Sequence, residues 1–201
     1  MARSSGGAGV PPAWTSVLAV IAHLDDASMG RGAAPGPADL ATLRGDEPAS
    51  ASDVQGAVRL EMRDGPGGAL REVCQRRLAS EVVATADSCD PEALVVFVVL
   101  SVTGHLDHVA ATAAGLLAAE TLGLSVLGRA LSQTVGARLS QDFGARVSSH
   151  REEGMDLRVT ADRARPHWAS RANAGQPLPG SACRRRLELL AETTSLRWLR
   201  A

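Results

Sequence analysis

The chain has no lysine and no tyrosine, and its aromatic content is two phenylalanines and three tryptophans in 201 residues. A Schiff-base lysine and a phenolic acid are therefore excluded as catalysts. Isoleucine and asparagine occur once each while arginine supplies all 21 basic residues, the bias of a GC-rich coding sequence. Three cysteines, Cys74, Cys89 and Cys183, are odd in number, far apart and free of any C-x-x-C spacing. That excludes a disulfide framework and a zinc ribbon and suits a reducing compartment. No apolar run approaches the roughly 20 residues of a membrane helix. The run after "MARSSGGAGVPPAW" is too short for a secretory signal, so a cytoplasmic location is expected. With a net charge of −1, nothing steers the whole molecule to nucleic acid or an anionic membrane.

What remains is the composition of a soluble globule, 45% apolar and 21% charged. Its length suits one domain, read as a flexible leader over 1–14 and a single α/β domain over 15–201. "SVLAVIA" (16–22) and "EALVVFVVLSV" (92–102) are apolar without alternation, the pattern of strands buried on both faces. "GGALREVCQRRLASEVVATA" has helical spacing and ends at "DSCDP"; an Ala-rich helix capped by Thr103 or Asp107 ends at Gly123. "LSVLGRAL" is expected as a strand, "SQTVGARLSQDFG" as a helix and "MDLRVTAD" as an alternating strand. "CRRRLELLAETTSLRWLR" is expected to close the chain as an amphipathic helix or two turns. Apolar strands alternating with helices predict an α/β fold, with a mainly parallel sheet flanked by helices.

In such sheets ligands bind beyond the carboxyl ends of the strands. Two strands here run straight into polar clusters, "AHLDD" and "TGHLDH". A catalytic zinc takes three nitrogen or oxygen ligands and keeps a fourth position for water. His23 and Asp26, three apart in a turn, can face one point, and His108 can join them from the first turn of its helix. Asp25 is then free to take a proton from water. His105 can stabilise an oxyanion or protonate a leaving amine, oriented by Asp107.

"VLAVIAHLDDASMGRGA" with "VTGHLDHVAAT" resembles the zinc N-deacetylases of the GlcNAc-phosphatidylinositol de-N-acetylase and LmbE-like kind. Their pattern is a strand, then A-H-P-D-D-E, and later H-P-D-H opening a helix. The resemblance extends over 16–33, 90–160 and the C-terminus. It implies a Rossmann-like fold, zinc held by His23, Asp26 and His108, Asp25 as base and His105 as acid or electrostatic catalyst. It also implies hydrolysis of an N-acetyl group on an N-acetylglucosamine-type sugar or related amide. Departures are Leu24 and Leu106 for the two prolines and Ala27 for the glutamate, none of which removes a ligand. The helix and strand expected after the first motif are shortened. "LREVCQRRL" carries Cys74 and Arg77 where the family has arginine and glutamate. Substrate-recognition positions are thus less well kept than metal positions, which leaves a non-catalytic relative that retains its metal as the alternative.

Each feature also has an ordinary explanation. "AHLDD" alone can be a cap and a solvated turn, and Asp107 an ordinary helix-start carboxylate. His150 and His167 are expected at the surface or in loops, Trp198 with Leu196 and Leu199 in packing, and Cys74 as a small apolar helix residue. The "CRRRLE" run reads as a solvated face. "MGRGAAPG" nearly spells a dinucleotide turn, but Pro35 replaces its last glycine and Asp25 and Asp26 would repel a pyrophosphate. A serine hydrolase lacks its G-x-S-x-G elbow.

Overall fold

The computed structural model describes residues 14–22, 70–98, 106–144, 146–160, 189 and 193–201. Leu189 apart, these fall in one compact unit that takes in Met1–Ala22, Gly65–Thr160 and Thr193–Ala201. Its elements are β1 (Val17–Ala19), α1 (Gln75–Cys89), β2 (Ala93–Phe97), α2 (Leu106–Leu122), β3 (Ser125–Ala130), α3 (Gln133–Phe143), β4 (Leu157–Thr160) and β5 (Thr193–Arg200). Short 3-10 turns stand at Leu70–Glu72 and Glu152–Gly154. The five strands form one sheet in the order β1-β2-β3-β5-β4.

The sheet has two halves. β1, β2 and β3 are parallel, with Val17 opposite Ala93 and Leu94 opposite Val126. β5 runs antiparallel between β3 and β4, pairing Gly128 with Arg197 and Arg158 with Ser195. Helices joined to parallel strands give the expected α/β Rossmann-like arrangement, and the other two strands extend it with antiparallel pairs.

The core lies where α1 and α2 cover the parallel half. Leu94, Val96 and Val126 are buried and pack with Ala79, Ala118 and Ala119, and Leu18, Val82, Val83 and Leu199 close the rim. Burying each large side chain is worth roughly 1.5–3 kcal/mol. α2 can be so deeply sunk because its inner positions are small: Ala110, Ala111, Ala114, Ala118 and Ala119 are all buried. It stops where expected, at Gly123, whose φ of 70° suits a residue without a side chain. α1 ends on Asp90 in the left-handed conformation, its N–H bonded to the Ala86 carbonyl.

Three expectations need correction. β1 is not buried on both faces: it is the end strand of the described sheet, and Val17 is 50% exposed. Its start is held instead by the Glu92 carboxylate, which accepts from the backbone N–H groups of Thr15 and Ser16 and from the Thr15 hydroxyl. Those bonds lower the Glu92 pKa, so the stability they supply is present above the ordinary carboxylate range and lost as pH falls through the lowered value. Next, the chain does not close as a helix over 193–200. "TTSLRWLR" is β5, because its β-branched and aromatic residues suit a pleated surface better than a helix. There Leu196 is buried with Leu127 and Leu157, and Trp198 packs against them as expected. Finally Trp14, read as part of the leader, is docked edge-on to Trp198 at 5.6 Å.

Candidate functional site

Parallel pairing puts the carboxyl ends of β1, β2 and β3 on one edge of the sheet. Val20 still donates to the Val95 carbonyl at 2.9 Å, so the pairing with β2 continues one residue beyond β1. Val98 donates to the Arg129 carbonyl at 3.1 Å, and α2 then opens with Leu106, Asp107 and His108. In sequence, the first cluster follows β1 and the second follows β2, and these two strands are neighbours in the sheet. His23, Asp25, Asp26 and His105 lie outside the described residues, as do the glycine-rich turn around Gly30, His167 and Cys183.

His108 is half-buried in the first turn of α2, and its ring is stacked on Phe97, with centroids 5.1 Å apart and planes inclined by 10°. Phe97 is the last residue of β2 and stands opposite Arg129 on β3, whose guanidinium lies 5.8 Å from the same ring. One helical turn beyond His108, the buried Thr112 hydroxyl donates to the Phe97 carbonyl at 3.0 Å. The helix face that carries His108 is thereby tied to the strand end through both the backbone and the ring of Phe97. Stacking of this kind is worth about 0.5–1.5 kcal/mol beyond the area it buries, enough to restrict the orientation of an imidazole.

Asp107, only 1% exposed, is the second residue of α2 rather than its cap, and the Arg71 backbone N–H donates to its Oδ1 at 3.4 Å. Gln75 Nε2 donates to the Ala110 carbonyl at 2.9 Å, docking the start of α1 beside the start of α2. Cys74, expected as a small apolar helix residue, stands just ahead of the helix. It is the exposed N-cap of α1, where the backbone N–H groups of Arg77 and Arg76 draw its thiol pKa down. Arg77 forms a surface pair with Glu81, one turn on.

His150 lies, as expected, in a connecting segment, between α3 and the 3-10 turn at Glu152–Gly154, but the sequence offered no local signal for its partners. It is half-buried, not on a free surface. Its N–H donates to the Leu131 carbonyl at 2.9 Å and it bridges Ser132, at the carboxyl end of β3. Its Nδ1 lies 2.8 Å from Arg197 Nη1. Burial, and secondarily the Arg197 charge, hold the His150 pKa below its ordinary value. His150 Nε2 and Arg197 Nε are sealed from solvent with no hydrogen-bond partner among the described residues. Leaving such a group unpaired costs about 1–3 kcal/mol.

Among the described residues, no three histidines, cysteines, aspartates or glutamates gather to hold a metal ion. His108 is in the first turn of α2, with the orientation of its imidazole restrained by Phe97. Among the described residues, no helix is long and apolar enough to cross a membrane.

No protein-family model matches the sequence, and no curated protein matches it. Solved structures do. A deacetylase triple mutant from the teicoplanin biosynthetic pathway is similar with a TM-score of 0.62 and 17% identity, over 93% of this chain and 99% of that one. The zinc-inhibited form of teicoplanin deacetylase is similar at 0.59 and 17%, with the same coverage. The deacetylase of the antimicrobial A40926 pseudoaglycone is similar at 0.53 and 16%, over 92% and 96%. The chain thus shares its fold with these deacetylases.

Proposed function

We propose that this protein is a zinc-dependent hydrolase that removes an N-acetyl group from an N-acetylglucosamine-type sugar or a related amide. One observation carries the reading: β1 and β2 are adjacent parallel strands, and in the sequence "AHLDD" follows the first and "HLDH" the second, in a fold shared with deacetylases. His23, Asp26 and His108 are the residues that would hold the metal. Zinc so bound acts as a Lewis acid on the acetyl carbonyl and makes water a nucleophile near neutral pH.

The chain's own groups then divide the work. Asp25, adjacent to a ligand but not one, accepts the proton of the attacking water. His105 donates to the oxygen that becomes negative as the carbonyl carbon turns tetrahedral, and it can pass a proton to the departing amine. Asp107, buried two positions along, orients His105 by accepting from its second ring nitrogen. Phe97 acts through His108, as the platform that limits its ring. The protein is assigned to the cytoplasm, with a small-molecule substrate and no nucleic-acid partner.

Zinc occupancy and rate need separate measurement, because one similar structure is a zinc-inhibited form of its enzyme. Acetate release from N-acetylglucosamine derivatives should be followed across a metal titration, wild type beside Asp25→Asn. The substitution should leave zinc bound and lower turnover by about 10²–10⁴-fold, the usual contribution of a positioned base. Unchanged turnover would remove Asp25 from the base role. Bound zinc without any turnover in the wild type would favour the non-catalytic alternative.

A further inference from the structure

We propose that segment 146–150 is a pH-operated strap, fastened at the carboxyl end of β3 by a hydrogen bond that only neutral His150 can accept from Arg197. The strap uses no residue of the deacetylase reading and does not rest on it. Its other fastenings are local. The Val147 N–H donates to Ser140 Oγ of α3 at 3.1 Å, and the His150 N–H donates to the Leu131 carbonyl just past β3 at 2.9 Å. Between them, Ser149 lies so close to α3 that a Cβ at Gly136 would overlap its side chain. The strap thus leans on α3 and the end of β3, and the His150 ring ties it to β5.

The switch lies in which atoms can donate. A guanidinium has N–H groups and no acceptor, so the 2.8 Å contact between Arg197 Nη1 and His150 Nδ1 makes Nδ1 the acceptor. A proton on Nδ1 takes up the lone pair that Arg197 uses and leaves two N–H groups facing each other. It also sets two positive charges side by side between half-buried residues, where repulsion is screened less than at an open surface.

The elements around the strap hold no spare carboxylate for that second charge, among the described residues. Asp142 of α3 pairs with Arg138, Glu152 of the 3-10 turn pairs with Arg158, and Asp156 accepts from the Trp198 N–H. Arg129 of β3 lies over Phe97, and Arg146 and Arg151 flank the ring in sequence as exposed charges of the same sign. Burial and the Arg197 charge both favour the neutral ring. The tie is therefore present above the ordinary histidine range and is lost as pH falls through the lowered value. The core beneath α1 and α2 includes no residue of the strap, so the opening is local.

The test is amide hydrogen exchange of the full chain, read by NMR at about pH 7.5 and about pH 5. Rates are expressed as protection factors, so that the intrinsic pH dependence of exchange cancels. Protection of the Val147 and His150 amides should fall about tenfold toward the lower pH, while that of the β2 amides stays constant. In His150→Gln the side-chain oxygen can still accept from Arg197 but does not titrate, so the fall should vanish. If that variant does not fold, Arg197→Met replaces it; there the His150 titration midpoint should rise toward that of free histidine and the fall should shrink. Constant strap protection in the wild type, an equal loss in β2, or an undiminished fall in the variant overturns the proposal.

Discussion

The parallel and antiparallel halves of the sheet meet at β3 and are held by different means. In the parallel half, α1 and α2 bury Leu94, Val96 and Val126, and the carboxyl ends of the three strands lie on one edge of the sheet. In the antiparallel half, β5 and β4 add Leu157 and Leu196 to Leu127, backed by Trp14 and Trp198. That half also keeps an arginine and a histidine inside with their donors unmatched. The difference teaches where each kind of residue can be placed. Unbroken apolar strands under helices leave polar chemistry only at their ends, whereas an alternating strand brings a charged side chain into the middle of the sheet.

Substitutions in each half can break this comparison. The largest expected loss is Leu94→Ala in the parallel half, about 2–5 kcal/mol, since a fully buried leucine leaves a cavity that the surrounding core cannot close. Urea unfolding of the full chain measures it. At the junction, a Cβ on Gly128 would lie 2.8 Å from Leu199 Cδ1 and 3.1 Å from Val98 Cγ1. Gly128→Val should therefore cost less, roughly 1–3 kcal/mol, because the flexible Leu199 side chain can partly yield. The reverse order of the two losses would mean that the unit's stability resides in the antiparallel half.

The same contrast explains what could be read from the sequence. β2, β3, α2 and α3 were legible because continuous apolar runs, Gly123 and Ser132 carry their own local signals; Ser132 Oγ accepts from the Val135 N–H, as a helix cap should. The start of a helix near Asp107 and His108 was also legible, and α2 does open at Leu106. β5 was not, because "CRRRLELLAETTSLRWLR" has leucines at both helical and alternating intervals, and only pairing with β3 decides between them. His150 was invisible for the same reason, as its partner Arg197 sits 47 positions away on that misread segment. Phe97 read as one more apolar strand residue, and nothing in the sequence marked it as the platform beneath a candidate ligand.

The central claim is that the two strand ends form one metal site. The direct test is zinc per chain after purification and zinc supplementation, wild type beside His23→Ala and His108→Ala, with folding of each confirmed by circular dichroism. About one zinc in the wild type and its loss from both variants is the result this account predicts. A folded wild type that takes up no zinc, or variants that retain it stoichiometrically, would contradict it.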